Sequence, residues 1–246
     1  MNNKSLKTIL YIVLLFSSIT ASAWEGMAMP QLHVEGRYFK DPNGNIVNLH
    51  GFAQTYSPWF NERGAKWNNY DVNTCLSYNQ GLIDNIMAAG WKMNFMRLHM
   101  DPYWSNTPGI RTKGENDISA FDYDRFKTYF QSVFVPMAKY AISHGLYVIM
   151  RPPGVCPDSI AVGDAYQQYL IKVWNYVSAD SYIKNNPNIM FELANEPVRI
   201  WSYGKQAGFK ELSEYFQTIT NTIRANCNNI VLVPGLSYQA NYEGFA

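Results

Sequence analysis

The segment IMFELANEPV, residues 189–198, is an apolar run that ends abruptly at Asn195, Glu196 and Pro197. Such a run predicts a buried strand that emerges into a loop. A carboxylate at the mouth of the strand is partly desolvated, which suits Glu196 to hold a proton and act as a general acid. Taken alone, Glu196 has a second interpretation, as a helix-capping or ion-paired glutamate in a loop.

Short apolar runs alternate with helical patterns on both sides of this segment. The pattern predicts a hairpin over residues 36–51, strands near 46–52, 93–100, 146–150, 189–194 and 229–235, and helices over 81–90, 123–143, 165–179 and 209–225. This alternation predicts α/β architecture with a parallel sheet covered by helices. An open doubly wound sheet and a closed (β/α)8 TIM barrel both fit, but no glycine-rich fingerprint follows the first strand, which favours the barrel.

In a (β/α)8 barrel, the chemistry lies at the carboxyl ends of the strands. The polar and ionisable residues of this chain accumulate where the predicted strands end. They are His50 and Gln54 after the first strand, Arg97, His99 and Asp101 after the second, Arg151 after the third, and Asn195 and Glu196 after the fourth.

The segment 189–198 closely resembles the signature of glycoside hydrolase family 5, the cellulase family. The resemblance implies that Asn-Glu-Pro closes the fourth strand of a (β/α)8 barrel. It also implies that Glu196 is the general acid/base of a retaining mechanism and that Asn195 binds the sugar 2-hydroxyl. The segment NFMRLH, residues 94–99, is similar to the family's second strand, whose arginine, here Arg97, hydrogen-bonds the nucleophile. The resemblance covers about residues 31–235.

The partner that a retaining glycosidase needs is a second carboxylate about 5 Å from the first. The family takes this nucleophile, a glutamate, from the seventh strand. Only about the first five β/α units precede Ala246, so we expect an incomplete barrel that is unstable in isolation, with the nucleophile beyond the chain end. Glu192 is expected deeper in the barrel interior, Glu62 and Glu115 are expected to be solvated loop charges, and Glu243 is a weak candidate.

The third predicted strand departs from the family pattern. Many members end it with a histidine, whereas this chain reads YVIMRPPGVCPD over residues 147–158. Arg151 at this position can orient a substrate hydroxyl or form a structural ion pair with Glu192 or Asp158.

Further substrate-binding candidates are histidines and loop aromatics. His99 and His50 are candidates to line the cleft, although a single histidine near a strand end is commonly structural. Trp59, Trp104 and Trp201 lie in turn-rich segments and are candidates to stack on sugar rings, or alternatively to cap the domain.

Composition limits the class of protein. The net charge is +1, with 47% hydrophobic and 16% charged residues, so nucleic acid is not an expected partner. Lys4 and Lys7 precede an apolar segment, residues 9–16, and small residues follow at 21–23, which predicts a signal peptide over residues 1–23. The apolar run is too short for a membrane span of about 20 residues. We therefore expect an exported protein, secreted or periplasmic, with residues 24–246 as the catalytic domain.

The three cysteines, Cys75, Cys156 and Cys227, are expected to be separate buried thiols. No metal-ligand spacing is present and no cofactor is expected. The predicted function is an endo-β-1,4-glucanase that acts on cellulose or β-glucan. A β-mannanase or xyloglucanase of the same family is an alternative, and an inactive carbohydrate-binding barrel fragment is the non-enzymatic alternative.

Overall fold

The computed structural model describes residues 28–56 and 69–242. Several predictions concern residues outside these ranges: the signal peptide of residues 1–23, Trp59 as a sugar-stacking residue, Glu62 as a solvated loop charge, and Glu243 as a weak nucleophile candidate. They stay predictions.

Ten strands form three sheets in the described residues. In chain order they are β1 (His33–Glu35), β2 (Tyr38–Lys40), β3 (Gly51–Gln54), β4 (Phe95–His99), β5 (Tyr147–Arg151), β6 (Ser159–Ile160), β7 (Ile189–Glu192), β8 (Arg199–Ser202), β9 (Lys205–Gln206) and β10 (Val231–Leu232). The central sheet has five strands in the order β10-β7-β5-β4-β3, and all its pairs are parallel. Because its strands lie side by side in chain order, the sheet has the order of a (β/α) barrel and not that of a doubly wound sheet, whose order reverses at a switch point. The described residues thus form five consecutive barrel strands.

Helices connect the central strands. They are α1 (Val72–Ala88), α2 (Pro102–Ser105), α3 (Tyr123–Tyr129), α4 (Val135–Ser143), α5 (Ala165–Ala179), α6 (Ser181–Lys184) and α7 (Phe209–Arg224), with a π-helical segment, Phe130–Phe134, joining α3 to α4. Aspartate side chains cap four of them. Asp71, Asp122, Asp164 and Asp180 each accept a hydrogen bond from a backbone N–H in the first turn of α1, α3, α5 and α6. This capping satisfies donors that have no partner within the helix.

The sheet has an apolar core on each of its two faces. Its outer face packs against the helices through side chains such as Leu98, Val148 and Phe191. Its inner face carries a smaller cluster of Leu32, Tyr147, Ile149 and Met190. The hairpin of β1 and β2 covers the amino end of this inner cluster, because Phe39, Val47 and Leu49 pack against it. The carboxyl end carries polar side chains instead.

Most predicted elements are confirmed, but their boundaries shift. The helix expected over residues 81–90 begins at Val72, because the Asp71 side chain caps it there. Gly81, where the prediction started the helix, lies inside it, since a single glycine does not interrupt a helix. The strand expected near residues 46–52 runs over Gly51–Gln54 instead. The chain turns at Asp41–Asn45 as expected, but the second arm makes only an isolated bridge, from Lys40 to Ile46.

The three cysteines are free and buried, as expected. Over the described ranges, no helix combines the length and apolar character needed to cross a membrane.

Candidate active site

Three neighbouring strands of the barrel end in inward-facing polar side chains. His99 is the last residue of β4, Arg151 is the last residue of β5 and pairs with it in register, and Glu192 is the last residue of β7. All three are buried. Since side chains alternate between the two faces of a strand, Arg97 lies on the same inner face as His99, one layer deeper.

Arg97 joins the ends of β4 and β7. Its Nε and Nη2 atoms donate to the two carboxylate oxygens of Glu192, at 2.6 and 2.5 Å. The same Nη2 atom donates to the side-chain carbonyl of Asn195 at 2.7 Å. A two-pronged arginine–carboxylate pair fixes the orientation of both groups. Arg97 therefore orients the Asn195 amide, and its Nη2 is shared between Glu192 and Asn195.

Glu192 is buried in the barrel interior, as predicted. β7 ends at Glu192, so an extended-strand spacing does not apply to the residues that follow. Gln239 adds a further contact, because its amide donates to Glu192 Oε1 at 2.8 Å and to the Ala194 carbonyl at 3.2 Å. Both glutamate oxygens are thus engaged, and Glu192 acts as an anchor for Arg97.

The backbone around Glu196 is held on both sides. The Cys156 N–H donates to the Asn195 carbonyl at 2.8 Å, and the Tyr238 N–H donates to the Pro197 carbonyl at 3.0 Å. Between them, Glu196 has a φ of +55° and its side chain is exposed. The sequence interpretation expected a carboxylate partly desolvated by the strand mouth. That expectation is wrong for the described structure, because β7 ends four residues earlier and Glu196 projects from a loop.

Left-handed backbone at Glu196 leads to a prediction about stability. A non-glycine residue in this region costs roughly 1–2 kcal/mol, and such strain commonly persists at functional sites. Glu196→Gly is expected to raise the free energy of unfolding by about 1 kcal/mol, after allowing for the extra freedom of glycine in the unfolded chain. Glu196→Ala, which keeps a Cβ, is the matched control and is expected to be nearly neutral. Urea unfolding measures both, and equal stabilities would contradict the strain.

His99 belongs to a buried network at the end of β4. Its Nδ1 lies 2.7 Å from Asp101 Oδ1, and Asp101 also accepts a hydrogen bond from the Tyr56 N–H. Burial lowers the pKa of His99, and the Asp101 carboxylate opposes part of that shift. The neutral imidazole is therefore favoured, and the pair braces the loop that follows β4.

Trp104 was predicted to contact substrate, and this is wrong. Its side chain is 0% exposed, and its indole N–H donates to the Tyr56 carbonyl at 2.6 Å. Its ring packs edge-on against Tyr103 and tilted against Tyr129. A turn-rich sequence context did not reveal that α2 inserts this ring into the core.

His50 was also predicted to line the cleft, and this is wrong for a geometric reason. β3 begins at Gly51, so His50 lies at the amino end of the strand, opposite the carboxyl ends that carry the site. Its Nε2 contacts the Lys92 carbonyl, and its N–H donates to Asn94 Oδ1 at 2.8 Å. Gln54 ends the strand instead and contacts Asn79.

Arg151 lies at the end of β5, as predicted, but neither of its predicted ion pairs, with Glu192 or with Asp158, forms. Glu192 pairs with Arg97 instead, and Asp158 is exposed. Burial lowers the pKa of Arg151, and repulsion from Arg97 adds to the shift.

Trp201 lies on β8 and is 39% exposed, so it remains available to a ligand.

Glu115 is a candidate site residue that sequence reasoning missed. It was expected to be a solvated loop charge, but its side chain is half-buried, and its carbonyl accepts a hydrogen bond from the Val155 N–H, just after β5. Burial raises the pKa of Glu115 to about 7, and the negative charge of Asp101 adds to the shift. It lines a cavity of about 480 Å³ together with Tyr70, Tyr103 and the loop of residues 106–114. No sequence pattern marks it, since its position depends on how the loop after β4 folds back.

Metal ligands do not cluster in the part of the chain that the structure describes: no group of three or more His, Cys, Asp or Glu side chains is placed to hold an ion.

Several solved structures share the fold. A native β-glucanase from Saccharophagus degradans matches with a TM-score of 0.53 and 16% identity, covering 91% of this chain and 60% of that one. The same enzyme in complex with cellotetraose matches with a TM-score of 0.54 and 16% identity, covering 90% and 58%. A structure described as a glycoside hydrolase matches with a TM-score of 0.54 and 17% identity, covering 80% and 55%. The chain thus spans less than two thirds of the length of these structures.

A search against proteins of curated function gave no match. The profile of the family described as cellulase (glycosyl hydrolase family 5) matches residues 41–246, which is most of the chain. The match includes all five central strands and the Asn195–Glu196 loop. The chain belongs to glycosyl hydrolase family 5, the cellulase family, and its five consecutive parallel strands are part of a (β/α)8 barrel.

Proposed function

We propose that this chain carries the acid/base part of an exported, retaining endo-β-1,4-glucanase, with Glu196 as the general acid/base. The observation that carries the proposal is the Arg97 network, which fixes the Asn195 amide beside an exposed Glu196 at the end of β7. An exposed carboxylate next to an oriented amide suits a substrate that enters from solvent. Asn195 then contacts a sugar hydroxyl, while Glu196 reaches the glycosidic oxygen.

In the proposed mechanism, Glu196 acts twice. It first protonates the leaving glycosidic oxygen, so that the departing sugar leaves as a neutral alcohol. It then removes a proton from the water that attacks the glycosyl–enzyme intermediate, which regenerates the acid. An exposed position allows both steps, because the leaving sugar departs to the solvent side and the attacking water enters from it.

The nucleophile of this mechanism is not assigned to any described carboxylate. Glu192 is engaged by Arg97 and Gln239, and Asp101 is engaged by His99 and Tyr56. Each would have to give up its partners before attacking carbon. The proposal therefore leaves the nucleophile to a residue outside the described ranges.

Glucan is the proposed substrate class. The β-glucanase from Saccharophagus degradans, which shares the fold, was solved with cellotetraose, a β-1,4-linked glucose oligomer. The cavity beside Tyr103 offers an aromatic wall, which suits the apolar face of a pyranose ring.

The experiment that tests this function is hydrolysis of a panel of polysaccharides. Carboxymethylcellulose, mixed-linkage β-glucan, mannan and xyloglucan are each incubated with a complete-length version of the protein that supplies the nucleophile, and released reducing ends are measured. We expect the fastest release from the two glucans, with the β-anomer as the first product by proton NMR. Preferred cleavage of mannan or xyloglucan would contradict the glucan assignment. An α-anomeric first product would contradict the retaining mechanism.

A further inference from the structure

The loop that follows β10, residues 235–241, is closed at its base and is termed the β10 loop. Leu236 and Asn241 exchange two backbone hydrogen bonds, at 3.1 Å and 3.0 Å. A side chain on Gly235 would collide with the Asn241 carbonyl, so this close approach requires a glycine. The residues between the two ends are therefore confined to a tight turn.

Three consecutive residues of the β10 loop have left-handed backbone. Ser237, Tyr238 and Gln239 have φ values of +56°, +59° and +67°. This conformation is unfavourable for any residue with a Cβ, and non-glycine residues normally adopt it singly. Strained backbone persists where the surrounding contacts over-determine it, and it is common at functional sites. The contacts that hold this turn therefore point to its role.

Two of these contacts lie directly after Glu196. The Ser237 N–H donates to the Val198 carbonyl, and the Tyr238 N–H donates to the Pro197 carbonyl, both at 3.0 Å. Because the two hydrogen bonds are adjacent in both segments, they hold the β10 loop alongside the chain that leaves Glu196.

The side chain of Gln239 holds the same chain before Glu196. Its Nε2 atom donates to Glu192 Oε1 at 2.8 Å and to the Ala194 carbonyl at 3.2 Å. A primary amide has two N–H donors, so both are used. The two acceptors belong to buried residues, and a buried acceptor that loses its donor is costly. The β10 loop thus grips the chain on both sides of Glu196.

Gln239 and Arg97 share the Glu192 carboxylate. Arg97 donates to both of its oxygens, and Gln239 adds a third donor at Oε1. Charge-assisted hydrogen bonds of this kind fix the orientation of the groups that make them. Arg97 in turn donates to the Asn195 side chain, directly before Glu196. Gln239 therefore acts on this segment by two routes, through the Ala194 backbone and through the Glu192 carboxylate.

We propose that Gln239 is a positioning residue for Glu196, holding the backbone that places this carboxylate at the glycosidic oxygen. The inference rests on the proposed function for the role of Glu196 and adds the residue that places it. A general acid must lie within hydrogen-bond reach of the leaving oxygen, and a misplacement of about 1 Å can slow a reaction about 10²-fold. The left-handed turn brings three consecutive residues onto one segment, which explains why its strain is retained.

The first test compares two substrates for Gln239→Leu in the complete-length protein. Leucine is similar in size but has no donor. We expect kcat/KM on mixed-linkage β-glucan to fall about 10–10²-fold. On an aryl β-cellobioside with an acidic phenol, we expect a loss of less than about 3-fold, because that bond breaks without a proton. Gln217→Leu is the matched control, since Gln217 is an exposed glutamine that donates to Asn221 on α7, and it is expected to keep both rates.

The second test measures hydrogen exchange of single amides in the same proteins and needs no catalysis. The Cys156 N–H donates to the Asn195 carbonyl, so its exchange reports how firmly the chain before Glu196 is held. In Gln239→Leu, we expect this amide to exchange about 10-fold faster. The Phe191 N–H, which donates across the central sheet, is the internal control and is expected to exchange at the original rate.

The outcomes separate this inference from the proposed function. An equal loss on both substrates would show a general structural defect and would overturn the inference alone, as would unchanged kinetics in a folded Gln239→Leu. A protein that hydrolyses neither substrate overturns the proposed function. Exchange at Cys156 then decides whether Gln239 holds the loop, because faster exchange supports the contact and unchanged exchange overturns it. If circular dichroism shows Gln239→Leu unfolded, Gln239→Asn, whose shorter amide cannot reach both acceptors, replaces it in every comparison.

Discussion

Glu196→Gln is expected to slow hydrolysis of β-1,4-glucan by about 10²–10⁴-fold, the range that general acid–base catalysis supplies. The amide keeps the size and polarity of the side chain but can neither give up a proton to the leaving oxygen nor take one from water. Binding of cellotetraose is expected to persist, since Asn195 and Arg97 keep their contacts. Initial rates on carboxymethylcellulose, together with calorimetric affinities, measure the two effects separately.

The leaving group provides a sharper version of this test. An aryl glycoside with an acidic phenol leaves without protonation, so Glu196→Ala is expected to lose far less of the first step on that substrate. Added azide is then expected to restore part of the turnover, because it attacks the intermediate without base assistance. Glu214→Gln, an exposed glutamate on α7, is the control and should hydrolyse at the original rate. Unchanged hydrolysis in Glu196→Gln would remove Glu196 from the mechanism.

Arg97→Met is expected to lower the free energy of unfolding by about 3–5 kcal/mol. The substitution leaves the Glu192 carboxylate buried with only Gln239 to neutralise it, and a buried unpaired charge is costly. Asn195 loses its Arg97 partner at the same time. Urea unfolding followed by circular dichroism gives the stability, and an unchanged m-value would confirm that the unfolded state is the same.

A double variant tests the reason for that loss. Arg97→Met combined with Glu192→Leu removes both charges and fills the space with apolar atoms, which is often neutral relative to a buried ion pair. We expect the double variant to recover most of the stability that Arg97→Met loses. Arg37→Met, at an exposed position, is the control for loss of an arginine. If the double variant is less stable than Arg97→Met, the unpaired Glu192 charge is not the main reason for the loss of stability in Arg97→Met.

The order of the elements could be predicted from the sequence because it depends on short-range patterns. Apolar runs and helical periodicity are local, and together they implied consecutive parallel strands. Glu196, Asn195 and Arg97 became candidates because each lies in a short segment that resembles a motif of the family. Their identification needed no knowledge of which side chains meet.

Positions that depend on a strand's direction or on a loop's path were predicted poorly. His50 precedes and Gln54 ends one short strand. The strand begins a few residues later than predicted, so His50 lies at its amino end and not at the carboxyl end that carries the site. The sequence context of Trp104 predicts a loop aromatic, but α2 places its ring in the core. Glu115 is an ordinary loop glutamate until its loop folds back onto the end of β5.

The sequence by itself determined the barrel order, the family and the residue that carries the proposed acid/base chemistry, because local propensity and a short motif are sufficient for these. Tertiary structure decided the charge pairing at the strand ends. Arg97, not Arg151, holds Glu192. The physical reason is that ion pairing depends on distances of a few ångströms between residues far apart in the chain. Those distances exist only once the strands are in register.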